Sequence, residues 1–250
     1  MKNKPVWHNK DWIKAIPNLD NTHHQQILKL IEFCDKIVEG PNSQYLRNYV
    51  IIRLGSIIEG YQKAIITTLV DNFEIKPSKV LGSNELKIDL DQLEDFDITN
   101  VTKGKLVTTA LRATNPRSLH EFFTGINKVR NFFQWFDDLA NEEIQRRDWW
   151  HFVKQTLDIR NDVVHNLADV EDTPKELHAR IDRMYDFASY SLYFSTINLC
   201  LLNKKTAEAK DVCINAKLRI KIDKFKSITD AHLINKAKKQ NKDQKTLDHG

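Results

Sequence analysis

Glycine and proline are scarce, seven and six in 250 residues. So few chain breakers leave room for long regular elements. Only three cysteines occur, Cys34, Cys200 and Cys213, far apart and without a CxxC pair. That spacing argues against a zinc site or a disulfide framework and fits a reducing cytosol, hence a cytoplasmic protein. The opening residues, MKNKPVWHNKDW, lack the apolar core of a signal peptide. The most apolar run, YVIIRLGSIIEGYQKAIITTLV, is broken by Arg53, Glu59 and Lys63, which excludes it as a membrane span. What remains is ordinary globular composition, 41% hydrophobic and 29% charged. The net charge of +4 mildly favours a polyanionic partner.

Helical periodicity marks four segments: 21–38, 43–73, 141–165 and 174–202. Pro174 suits the first turn of the last of these. A further helix or two fits SLHEFFTGINKVRNFFQWFDDL, after Asn115-Pro116. Two stretches alternate instead: ELKIDLDQL, through Leu86, Ile88 and Leu90, and CINAKLRIKID, through Ile214, Ala216, Leu218, Ile220 and Ile222. Alternation predicts two short strands, paired as a small sheet beside the helices. From Lys236 onward the chain loses its apolar period and reads as a solvated tail. The predicted class is mainly α.

The segment 43–73 is apolar on two sides. One face carries Val50, Leu54, Ile57 and Tyr61, the other Ile52, Gly55, Ile66 and Val70, with Glu59 among them. A helix apolar on two sides is buried on two sides. Glu59 therefore needs a cation or several donors, and Gly55 one turn earlier allows a close approach. The stretch LDIRNDVVHN supplies the converse problem. On a helical wheel Arg160 falls within about 60° of Trp149, Val153, Thr156, Leu157, Val163, Val164 and Leu167. A guanidinium at the centre of an apolar stripe must be paired, and Glu59 is the best candidate. Asn161 and His165 lie one turn apart, roughly 100° to 140° from Arg160. A cation that can bind phosphate beside an imidazole that moves protons near neutral pH is what ribonucleolysis needs.

IRNDVVHN resembles the R-x4-H motif of the HEPN superfamily in its form with asparagine after the arginine: Arg160, Asn161, His165. RLGSIIEGYQKAIITTLVDNF resembles the opening helix of RiboL-PSP-like HEPN families, including an internal acid, here Glu59. TKGKLVTTALRATNPRSLHEFF resembles their linker. The resemblance spans roughly residues 43 to 203. It implies an antiparallel helical bundle with an extra N-terminal helix. The division is an N-terminal helical extension (1–40), a HEPN-like bundle (41–205) and a basic C-terminal extension (206–250), in one compact domain. It further implies an endoribonuclease that uses neither metal nor cofactor. Two motifs would face one another across a homodimer, with Arg160 on the scissile phosphate and His165 in proton transfer. Asn161 would orient or bind phosphate, and Glu59 would hold Arg160. Many relatives are toxins or antiviral effectors restrained by an antitoxin or other regulatory protein.

Other readings of the same residues stay open. Arg160 and His165 can be a structural ion pair and a helix-end histidine, in an inactive module that binds RNA or protein, or in a helical adaptor. Arg146 and His151 also fit R-x4-H but sit in a charged stretch, which reads as surface. The 140° offset between Arg160 and His165 closes into one site only if the helix distorts or two protomers combine. Lys217, Arg219 and Lys221, with Lys224, Lys226, Lys236, Lys238 and Lys239, can contact an RNA backbone or form a plain solvated face. Phe132, Phe133, Trp135 and Phe136 read as core or dimer contact. Of adjacent Trp149 and Trp150, one must face outward. His23 and His24 read as surface.

Overall fold

The computed structural model describes residues 11–73, 75, 102–110 and 116–234. Nine helices occur among them: α1 (Asp11–Cys34), α2 (Ser43–Asn72), α3 (Lys103–Ala110), α4 (Pro116–Asn127), α5 (Phe132–Ile144), α6 (Trp149–Asn166), α7 (Pro174–Leu202), α8 (Thr206–Asn215) and α9 (Ile222–His232). The protein is mainly helical. No helix among the described residues is long and apolar enough to cross a membrane.

Helix ends follow local chemistry. Thr173 and Glu176 form a reciprocal capping box, with Pro174 opening α7. Asn131 caps α5 by accepting from the Gln134 amide. The helix expected over 141–165 is two helices. Residues 141–144 finish α5, and the chain turns through Gln145 and Asp148, both with positive φ, before α6 starts. The charged QRRD segment hid this break, because neither Gly nor Pro marks it. α1 starts ten residues earlier than periodicity suggested and contains Pro17.

α2 is the central helix. It packs against α1, α3, α6 and α7. Val50, Leu54, Ile57 and Tyr61 are buried on one side, and Gly55, Ile66 and Val70 on the other. α6 runs antiparallel to it. Asn48 accepts from the Val170 amide at 2.9 Å and donates to Asp169, while Gly55 meets Arg160. α7, buried nearly all round in its second half, is flanked by α1, α2, α4, α5 and α8. Phe132, Phe133, Trp135 and Phe136 lie in the core with Trp149, Phe187, Phe194 and Phe225, and Trp150 faces outward. One continuous apolar cluster runs from Ile16 in α1 to Phe225 in α9.

α1 is fastened by one carboxylate. Asp20 accepts from the hydroxyls of Tyr61 (2.5 Å), Tyr185 (2.9 Å) and Tyr193 (2.8 Å), which arrive from α2 and α7. His23 stacks on Tyr61 at 4.3 Å and His24 on Tyr185 at 5.0 Å, so both histidines are half-buried packing groups rather than free surface.

The later strand expectation fails. Ile214 lies in the last turn of α8, and Ile222 starts α9. Between them a connector alternates without pairing, with Ile220 buried and Leu218 and Ala216 half-buried, while Lys217, Arg219 and Lys221 are exposed. The period of two was a real in–out alternation. It arises from a connector held against the core rather than from a ladder. The earlier strand, 86–90, and Lys236, Lys238 and Lys239 lie outside the described residues.

Candidate functional site

Arg160 stands on the second-last turn of α6 and lies across α2 at Gly55. A methyl group at Gly55 would stand 3.0 Å from Arg160 Cγ and 3.3 Å from its Nε. The missing side chain is what lets the guanidinium stem settle there. Arg160 stands between buried Thr156, Leu157 and Val163, on the stripe the wheel drew, but is itself only half-buried rather than buried. Toward the end of the stripe the expectation fails. Val164 is on the border of exposure, and Leu167 is 87% exposed.

The predicted partner of Arg160 is not its partner. Glu59 instead binds Lys63 Nζ at 2.7 Å, one turn along its own helix. Glu59 keeps contact with water, so the same-helix lysine suffices for it; Glu before Lys at this spacing is the favourable order. Arg160 donates from Nη1 to Asn161 Oδ1 at 3.0 Å. Its Nε is buried and has no hydrogen-bond partner. This N–H faces Gly55 and is closed to solvent, so its missing bond is a cost to the fold rather than a vacancy for a ligand.

His165 is exposed in the last turn and has no hydrogen-bond or ionic partner among the described residues. Asp162 holds Asn166 at 3.0 Å. α6 stays helical through Asn166, so no distortion swings His165 round to Arg160. Leu167 ends the helix with φ 52°, and the Ala168 amide closes back on Asp162 O at 3.2 Å. The left-handed position of such a closure is normally glycine's. Here it carries a leucine projecting into solvent.

The rival pair is ordinary surface. Arg146 binds Asp186 at 2.9 Å, and His151 is exposed. Burial pushes the Asp186 carboxyl up to about 6, against the pull of Arg146.

A cleft of about 270 Å³ flanks α6 on the side of Ile159 and Asp162. Asp162, Asp169, Glu171 and Asp172 line it. Its one cation, Arg180, is committed: it binds Asp172 at 2.7 and 3.1 Å and donates to Thr156 at 3.0 Å. This flank repels polyanions. The other flank of Arg160 bears Asn161.

Sequence reasoning sought a buried arginine in α6; the most buried one with an acid partner is Arg180 in α7. Its signal was present, since Arg180 stands among Leu177, Ile181 and Met184. Glu143 was also missed. It is 5% exposed and accepts from the amides of Arg219 (2.9 and 2.8 Å) and Ile220 (2.9 Å). Lys217, Arg219 and Lys221 are brought together on that connector, away from Arg160. No family model, curated protein or solved structure matches the chain.

Proposed function

We propose that this protein is a metal-independent endoribonuclease of HEPN type, working in a toxin or antiviral defence system. RNA supplies the nucleophile. The 2′-OH attacks phosphorus, the P–O5′ bond breaks, and the products carry a 2′,3′-cyclic phosphate and a 5′-hydroxyl. Arg160 neutralises charge on the phosphorane, Asn161 orients Arg160, and His165 takes or returns a proton. Glu59 has no direct role in holding Arg160 and acts only through α2.

The observation that carries this reading is the state of Arg160. Its stem is clamped over Gly55, its guanidinium has no ionic partner among the described residues, and five residues on stands an unpartnered imidazole. The regular helix keeps His165 about 140° away from Arg160. The two therefore meet across a homodimer, Arg160 of one protomer with His165 of the other. Exposed apolar groups beside the motif support such an interface. Tyr45, Tyr49 and Ile52 on α2 and Val164 and Leu167 on α6 all reach solvent. An antitoxin or other regulatory protein that covers these groups would hold the enzyme silent.

Cleavage of an end-labelled single-stranded RNA in EDTA tests the reading. Arg160→Ala and His165→Ala should each lower the rate by about 100-fold or more, with helical circular dichroism unchanged. Mixing the two inactive variants should restore part of the activity, because a mixed dimer rebuilds one complete site. Activity that needs Mg²⁺, or that survives both changes, would sink it.

A second reading has one observation in its favour. Glu59 is bound to Lys63, which leaves Arg160 without a carboxylate to fix it. On that reading the chain is a HEPN-like module that binds RNA or protein without cutting. Tight RNA binding with no product at any pH would select it.

A further inference from the structure

We infer that the α8–α9 connector is a docking surface for the backbone of single-stranded RNA, separate from the Arg160 site. The choice of RNA rests on the nuclease reading; the surface itself stands on its own geometry.

Charge is concentrated there. Residues 204–226 contain eight Lys or Arg and three Asp or Glu, a net +5. The whole chain carries +4, so everything else together is −1. Residues 204–226 are thus a strongly basic stretch in a chain whose other charges nearly cancel.

The stretch is also shaped. A cleft of about 580 Å³, open to solvent, runs between α8 and α9. Lys210, Lys217, Arg219 and Lys221 line it, against the single acid Asp223. None of these four cations has an ionic partner among the described residues, whereas Lys224 nearby binds Glu142 at 3.3 Å. Glu143, the buried acid beneath the connector, forms no ion pair with them. Both oxygens of Glu143 are occupied by backbone amides of Arg219 and Ile220. That grip turns Ile220 inward and leaves Lys217, Arg219 and Lys221 outward. Ile214, 72% exposed, adds an apolar patch to the cleft, against which a ribose or base can rest.

A phosphodiester strand meets these features together. Unpaired, spaced cations match phosphates and release their counterions on binding. The other cleft, acidic beside α6, excludes the same ligand. The two sites are distant along α7. Arg180 meets Thr156 of α6, and α6 continues to Arg160 beyond that level, while the Arg219 charge acts electrostatically on the Tyr190 phenol. Ten residues of helix separate those levels, roughly 15 Å. A strand that touches both sites therefore spans several nucleotides.

The test uses the full chain carrying Arg160→Ala and His165→Ala, so that RNA is not consumed. Binding of a fluorescein-labelled 20-mer of uridine is followed by anisotropy over a salt series. Adding Lys217→Glu, Arg219→Glu and Lys221→Glu should weaken binding at least about tenfold, with an unchanged melting temperature. The neutral set Lys217→Gln, Arg219→Gln and Lys221→Gln should lower the slope of log K against log salt by about 2, since each single-strand phosphate contact contributes about 0.7. Equal affinity in all three proteins overturns the inference. So does a polyglutamate peptide that binds as tightly as the RNA, which would make the surface a dock for acidic protein. Absence of cleavage by the unmutated chain, with cleft-dependent binding intact, would remove the nuclease reading alone.

Discussion

Leu167 sits at a position where its backbone and its side chain both cost free energy. Its φ of 52° is the left-handed region that disfavours residues with a Cβ, and its side chain is 87% exposed. Replacement by glycine should raise the stability of the isolated protomer by about 1 kcal/mol, read as a shift in urea midpoint. On the proposed dimeric-nuclease reading, the same change should weaken dimer formation and slow RNA cleavage, measured by sedimentation and by rate at limiting protein. A variant more stable and equally active would remove Leu167 from the interface. At this scale the sequence was partly legible. The wheel placed Arg160 in the apolar stripe and marked Gly55 as a point of approach, because both follow from helical geometry alone. It could not place the partner of Glu59. A carboxylate with water access takes the lysine one turn away, and whether water reaches it depends on how α2 and α6 pack.

Between elements, the fastening of α1 depends on Asp20. Asp20→Ala leaves three tyrosine hydroxyls without their acceptor, and Tyr61 is fully buried. Hydrogen bonds to a charged acceptor contribute roughly 1.5–3 kcal/mol each but do not add in full. The loss should be about 2–4 kcal/mol. Limited proteolysis should then cut α1 before the rest of the chain, and Asp20→Asn, which keeps an acceptor, should recover part of the loss. Undiminished stability in Asp20→Ala would show that apolar packing alone holds α1. Helices 43–73 and 174–202 were legible almost to the residue, because long periodicity and a capping box are local signals. The break at 145–148 was not, since left-handed Gln145 and Asp148 are imposed by the packing of α5 against α6. Nor was the connector at 216–221. Alternation tells which side chains face inward, but a strand also needs a neighbour, and there the neighbour is Glu143.

Over the whole molecule, four phenols tie stability to alkaline pH. Burial, helped by Asp20, pushes Tyr61, Tyr185 and Tyr193 far above their ordinary value of 10.0, and burial takes Tyr190 to about 12. The fold therefore keeps protons that the unfolded chain gives up. Their contribution is complete below pH 10 and is lost as pH climbs above it. Urea midpoints should fall between pH 9 and pH 11. Absorbance at 295 nm should show these phenols ionising only together with unfolding. Ionisation of all tyrosines at pH 11 with helicity intact would contradict the buried cluster. The mainly helical class was legible from composition and period, while this polar knot was not, because it joins residues far apart in the chain. That separation also sets a timetable for synthesis. Asp20 is made 165 residues before Tyr185 and 173 before Tyr193. At roughly 5–20 residues per second, α1 waits on the order of 10–35 s for the two tyrosines of α7. Until α7 arrives only α2 can cover α1, so part of its apolar face stays open to aggregation or to a chaperone, and a helix made early becomes one of the last to be fixed in place.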